Sequence, residues 1–262
     1  MTNFCFTVDL ELGVGTEHSI KAKNVNSLLG RKAVSRIVEL SRKYGIPTTF
    51  AIVGHLFLDS CNGHDNLIKP KISYYSKEWL SADPKTNLKE NNAWYASDLV
   101  DLIKEHGLEI ASHSFSHPPF NECSKEIAEQ EITESIKVAK KAGVKLKSFV
   151  FPRNIVCYLD LLEKHGFTHF ASDPFPKGFL IDYNPKQFSF NKPKKLLDFN
   201  LIVVPRTQHL YREKWTDNLK TNFVLRMVKL NNGFYHLWSH EYNLSSEKEL
   251  GFLERIFKQV NS

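Results

Sequence analysis

No run of about 18 or more apolar residues occurs in this 262-residue chain, which excludes a membrane-spanning helix. A basic leader followed by a cleavable apolar segment is also missing. A strand-like run already begins at Phe4, so a secretory signal peptide is not expected and a cytoplasmic location is. Cysteine is scarce. Cys5, Cys61, Cys123 and Cys157 show no Cys-x-x-Cys spacing, which points away from a disulfide framework and from a cysteine zinc motif. Cys5 and Cys157 lie in apolar segments and read as reduced core residues. The chain has no internal repeat, no low-complexity tract, no nucleic-acid motif and no basic-aromatic platform, so nucleic acid is not an expected partner.

What is present is an ordinary globular composition, 42% apolar and 24% charged, which argues against disorder. Strand-like and helix-like segments alternate, the pattern of a parallel α/β barrel, and a chain of this length commonly forms one domain, taken here as 1–262. Strands are expected at Phe4–Val8, Thr48–Val53, Leu108–Ala111, Ser148–Phe151, His169–Ser172, Leu201–Val204 and Phe234–His240. Helices are expected at Arg31–Tyr44, Ala96–His106, Ser124–Ala142, Val156–His165 and around Asp217–Leu230, with a last one from Ser246. Ser124 reads as an N-cap, with Glu126 and Glu129 near the front of its helix and Lys140-Lys141 at its back. The long polar stretch from about Leu58 to Asn92, broken by Pro70 and Pro84, reads as a lid or rim.

Two places carry chemistry. In Ser112-His113-Ser114-Phe115-Ser116-His117-Pro118-Pro119, two histidines four residues apart follow the run Leu108–Ala111. One helical turn at that spacing turns both imidazoles to one side, where they could grip one divalent metal, and Pro118-Pro119 stops the turn from growing. The first strand ends in Asp9-Leu10-Glu11, with Gly13 and Gly15 beyond it. Residues i and i+2 of a strand share a face, so both carboxylates would project together. Beside a metal, one carboxylate can ligate while the other takes a proton, and the spacing leaves open which does which.

These elements resemble the polysaccharide deacetylase family, the NodB-homology or family 4 carbohydrate esterases. The matching residues are Thr7-Val8-Asp9-Leu10-Glu11, His113-Ser114-Phe115-Ser116-His117, Phe149-Val150-Phe151-Pro152-Arg153 and Trp238-Ser239-His240. The approach from Trp94-Tyr95 to Ser112-His113 is similar as well. The resemblance implies an incomplete (β/α)7 barrel. It implies one divalent metal, zinc being the expected ion, held by Glu11, His113 and His117. Asp9 becomes the general base toward the attacking water, and His240 the general acid toward the departing amine. Arg153 would keep Asp9 ionised through a charge-assisted hydrogen bond. His236 shares a strand face with His240; His240 is preferred as the acid because it ends the strand, leaving His236 and Trp238 as residues lining the substrate. The chain departs from the family pattern in spreading the usual Asp-Asp to Asp9-x-Glu11, in placing Arg153 after the proline, and in Trp238 and Glu241 around the last motif.

The implied reaction is hydrolysis of an N-acyl group, most simply N-acetyl, from an amino sugar in a surface-polysaccharide or glycan precursor. The net charge of +6 is concentrated between Lys177 and Lys220, which suits a solvated surface or a phosphate-linked substrate. Two other readings compete. One is hydrolysis of a non-sugar amide or imide C–N bond, and the other is glycan binding on a scaffold that has lost catalysis.

Overall fold

A computed structural model describes residues 3–17, 27–172, 192–211, 215–231 and 233–261. Its centre is one sheet built from β1 (Asn3–Leu10), β2 (Thr48–Ile52), β3 (Glu109–Ser112), β4 (Ser148–Val150), β5 (His169–Ser172), β6 (Lys194–Lys195), β7 (Ile202–Pro205), β8 (Gln208–His209) and β9 (Phe234–His240). Their order is β6-β7-β5-β4-β3-β2-β1-β9-β8, and every described pairing is parallel except β6 with β7. Seven parallel strands therefore curl into an incomplete barrel, with the two-residue strands β6 and β8 at its two edges. All seven expected strands are present, two of them with the expected bounds.

Side-chain alternation decides what faces the barrel axis. On β1, Phe4, Phe6, Val8 and Leu10 join the large apolar core under the outer helices, while Cys5, Thr7 and Asp9 take the other face. Ala51, Ala111, Val150 and Ala171 form a separate small cluster inside the curve. These four short side chains come from β2, β3, β4 and β5, so the strands can bend around a narrow interior. The helices packed outside include α2 (Ser27–Tyr44) and α7 (Glu247–Asn261), with Phe257 edge-on to both Phe4 and Phe6.

Some elements differ from expectation. The residues after Glu11, where no helix is expected, form a short one, α1 (Leu12–Glu17). The remaining helices are α3 (Ser97–Glu105), α4 (Lys125–Lys141), α5 (Leu159–Lys164) and α6 (Trp215–Asn231). Helix α5 is shorter than the sequence suggests, because Tyr158 adopts left-handed backbone angles that prevent a start before Leu159. Ser124 caps α4, its hydroxyl accepting the Ile127 N–H at 3.3 Å. The 58–92 stretch is a packed rim, with Ile72, Trp79 and Leu80 buried. Lys177, Lys186, Arg212 and Lys214 of the basic stretch lie outside the described residues. A cavity of about 660 Å³ opens at the N-terminal end of the strands, lined by Cys5, Thr49, Glu109 and Ser148 among others. The chemistry-bearing residues are at the other end.

Candidate active site at the C-terminal end of the barrel

Strand register brings the two sequence signals together. Asp9 on β1 pairs with His240 on β9, while Thr7 pairs with Trp238 and Cys5 with His236. β3 delivers His113 directly after its last residue. Glu11, His113 and His117 are all buried, and each presents one donor atom within 4.8 Å of the other two. The His113 and His117 Nε2 atoms are 3.1 Å apart, and Glu11 Oε1 lies 3.5 and 3.2 Å from them. His240 Nε2 is 3.2 Å from the same oxygen.

The loop that carries the histidines is held in an unusual shape. Ser114 and His117 have φ of 60° and 66°, which residues with a Cβ adopt only when their surroundings enforce it. Glu131 of α4 supplies that enforcement. Its buried carboxylate accepts the N–H groups of Phe115 and Ser116 at 2.9 and 2.7 Å and the Ser116 hydroxyl at 2.5 Å. Trp79 of the rim donates its indole N–H to the same hydroxyl at 2.9 Å. Close approaches fix the neighbouring backbone. A Cβ on Gly15 would sit 2.6 Å from the Glu11 Cβ, and one on Gly54 would sit 2.9 Å from the Phe115 Cα.

Electrostatics sort the ionisable groups. Burial works against the charge on Asp9, but the Arg206 guanidinium, joined by His113 and His240, outweighs it, and the carboxyl is held below its ordinary range. Arg206 donates from one nitrogen to both Asp9 oxygens, at 2.7 and 3.0 Å, and from another to Asn154 Oδ1 at 2.6 Å. Glu11 is likewise held well down, because His117 and His240 offset its desolvation. Burial pushes the His117 pKa down, favouring the neutral imidazole that a metal requires. His240 goes the other way: burial disfavours its charge, and the Glu11 carboxylate more than compensates, so its pKa is raised.

Three sequence expectations need correction. Arg153 does not hold Asp9; its guanidinium lies 4.3 Å from the Tyr74 ring centre, and Arg206 occupies the expected place from the end of β7. His236 does not line a substrate surface. It is 2% exposed and its Nε2 meets Thr7 Oγ1 at 2.7 Å; four residues of strand put it about 13 Å below His240. Trp238 is sandwiched, with His209 stacked at 3.9 Å on one side and the Arg206 guanidinium 4.1 Å away, so it braces the site rather than offering an open platform. His240 is positioned by Tyr242, whose ring stacks on it at 4.7 Å.

Sequence reading passed over three contributors. Arg206 was legible only as one member of a basic stretch, although it directly follows a strand. Glu131 had a clearer signal, a lone carboxylate among Ala128, Ile132 and Ser135 on the buried face of a helix. Glu241 accepts the N–H groups of Glu11 and Leu12 at 3.2 and 3.0 Å, and burial beside Glu11 pushes its pKa up to about 7.

The family model for polysaccharide deacetylase matches residues 26–168, more than half of the chain. The protein belongs to the polysaccharide deacetylase family. Solved structures agree on the fold. A Mycobacterium smegmatis structure classed with the polysaccharide deacetylases has a TM-score of 0.68 at 14% identity, covering 99% of this chain and 83% of its own. A family 4 carbohydrate esterase from Streptomyces lividans, solved with acetate, scores 0.50 at 12% identity over 98% and 86%. Puue allantoinase scores 0.59 at 13% identity over 97% and 82%. No curated protein matches the chain in sequence.

Metal dependence is general in this deacetylase family, and the residues present fit a divalent ion. His113 Nδ1 sits 2.8 Å from the Val150 carbonyl, which fixes the ring proton there and leaves the Nε2 lone pair facing His117 and Glu11. Two imidazoles and one carboxylate make a three-ligand set of the open kind that catalytic zinc sites use. No described helix is long and apolar enough to cross a membrane.

Proposed function

We propose that this chain is a metal-dependent hydrolase that removes an N-acyl group, N-acetyl in the simplest case, from an amino sugar in a glycan precursor. The observation that carries this reading is the convergence of Glu11, His113 and His117 with an Arg206-paired Asp9 and with His240 at one end of the barrel. Glu11, His113 and His117 would hold the ion, with zinc favoured by the imidazole-carboxylate donor set. A bound divalent ion supplies positive charge that polarises the amide carbonyl and makes water a better nucleophile.

The remaining steps belong to side chains of this protein. Asp9, kept ionised by Arg206, receives a proton from the attacking water as its oxygen bonds to the acyl carbon. His240, whose pKa is raised, carries a proton and delivers it to the nitrogen as the C–N bond breaks. The products are a free amine on the sugar and a carboxylic acid. Glu131, Tyr242 and Trp238 hold these groups in place without touching the reacting atoms. The net charge of +6 supports a phosphate-linked sugar over a free one.

The test is a panel of N-acetylated amino sugars, free, nucleotide-linked and lipid-diphosphate-linked, together with non-sugar amides and cyclic imides. Acetate and amine are measured for each after zinc loading. Turnover confined to the sugars, and faster on the phosphate-linked ones, is the expected result. Turnover of the imides alone would replace this reading with non-sugar C–N hydrolysis. No turnover, with glycan still bound, would leave a binding protein.

A further inference from the structure

A second cluster of metal-ligating side chains stands apart from the site above. His55 lies in the turn after β2, and Cys61, His64 and Asp83 lie in the 58–92 rim. One donor atom from each falls within 4.8 Å of the other three. Cys61 Sγ is 3.8 Å from His55 Nε2 and 3.1 Å from Asp83 Oδ2. Asp83 Oδ2 is 3.5 Å from both His55 Nε2 and His64 Nε2. In a tetrahedron with zinc–nitrogen and zinc–oxygen bonds near 2.0 Å and a zinc–sulfur bond near 2.3 Å, the ligand-to-ligand edges are roughly 3.3–3.6 Å. The four separations above lie at about those values, and the remaining two edges are below 4.8 Å.

We propose that His55, Cys61, His64 and Asp83 form a structural zinc site that fastens the rim to the barrel. The surroundings are those of a site prepared for an ion. His55 Nδ1 lies 2.9 Å from the Trp94 carbonyl, which places the ring proton on Nδ1 and frees Nε2 to ligate. Asp83 is oriented the same way. Its Oδ1 accepts the Lys85 N–H at 3.0 Å and the Tyr95 hydroxyl at 3.2 Å, leaving Oδ2 turned to the other donors. His64 Nε2 is buried and makes no hydrogen bond among the described residues, although it points at three other ligating groups. His55 is fully buried and the Asp83 side chain is 1% exposed, so water does not serve these groups. With Cys61 as thiolate, Asp83 ionised and both histidines neutral, a divalent cation makes the cluster electrically neutral, which is what a buried site requires. Binding displaces the thiol proton that otherwise lies between Cys61 Sγ and Asp83 Oδ2.

Four protein donors including a sulfur mark a closed structural site, whereas the Glu11–His113–His117 set has three and no sulfur. The location gives the ion a task. Phe115, in the middle of the His113–His117 loop, packs against the His64 and His55 rings at 5.2 and 6.0 Å. The Gly54 and His55 N–H groups donate to the Ser114 and Phe115 carbonyls at 2.8 and 2.9 Å. An ion here would therefore hold the rim against the loop that carries the metal-ligating histidines.

The test separates the two sites by variant. Elemental analysis of the zinc-supplied protein should find two ions in the unaltered chain, one in His113→Ala and one in Cys61→Ser. Replacing zinc by cobalt in His113→Ala should give the near-ultraviolet thiolate-to-cobalt charge-transfer band, absent in His113→Ala/Cys61→Ser. His64→Ala serves as the second variant, because removing a group without hydrogen bonds is the gentler change; circular dichroism checks its fold, and the cobalt band should weaken or vanish. Limited proteolysis of His113→Ala should show zinc protecting residues 58–92, a protection missing in the double variant. A folded His113→Ala protein that holds no ion and gives no thiolate band would overturn the proposal. So would a Cys61→Ser protein that keeps two ions.

Discussion

At the scale of single residues, the pairing of Asp9 with Arg206 decides most. Both side chains are almost fully buried, and the pair is satisfied only as a unit. Replacing Arg206 by Met leaves a carboxylate without its cation in a desolvated site. Loss of about 3–5 kcal/mol of stability is expected in urea titrations, because breaking one side of a buried pair strands the other charge. The pH profile should change in a definite direction. As the proposed base, Asp9 works only when ionised, so activity should fall as pH drops through its pKa. Arg206 holds that pKa down, so the acid limb of kcat/KM should move to higher pH in the variant. This partner was hidden in the sequence. Arg153 stood beside a proline in a familiar motif order, whereas the contact that matters spans 197 positions. Asp9, Glu11, His113 and His240 were legible because each lies at or just beyond the end of a strand with readable alternation, and His117 because it stands four residues after His113. Their common inner face then follows from the period of two.

The element that positions the proposed metal ligands His113 and His117 is the turn after β3, and α4 is its anchor. Two left-handed residues in a five-residue loop persist because Glu131 pulls two backbone N–H groups and a hydroxyl toward the helix. Glu131→Ala should orphan those donors and let His117 relax. Metal affinity is expected to fall by about 10–100-fold, the usual penalty for losing a group that orients ligands, as read by competition with a chelating dye. Glu131→Gln should keep part of the grip and fall between. The elements themselves were foreseeable from strand–helix alternation. The rim was legible as a rim, but its anchoring was not: that depends on Trp79, His55 and Asp83 meeting partners far along the chain, and no local period announces it.

For the molecule as a whole, buried neutral histidines tie stability to pH. Burial pushes His236, and His209 beside Trp238, down to about 3. In the unfolded chain each returns to about 6.5. Below that value the unfolded state binds protons that the folded state refuses, so stability is full above about pH 6.5 and falls as pH decreases toward 3. The limiting slope is about 1.4 kcal/mol per pH unit for each histidine. Urea midpoints of the chelator-treated protein should therefore drop between pH 7 and pH 5. His236→Gln, which keeps a polar partner for Thr7, should make that drop shallower. The fold-level placement of such groups followed from the barrel pattern, but the depth of His236 required the register of β9 against β1.

Acyl release by Asp9→Asn, set against the unaltered protein at equal zinc content, tests the account most directly. Substitution of the proposed base by an isosteric amide should leave the ion in place. It should reduce turnover of an N-acetylated amino sugar by about 10²–10⁴-fold, the contribution of general base catalysis. Equal turnover in the two proteins would contradict the assignment of Asp9 and the mechanism built on it.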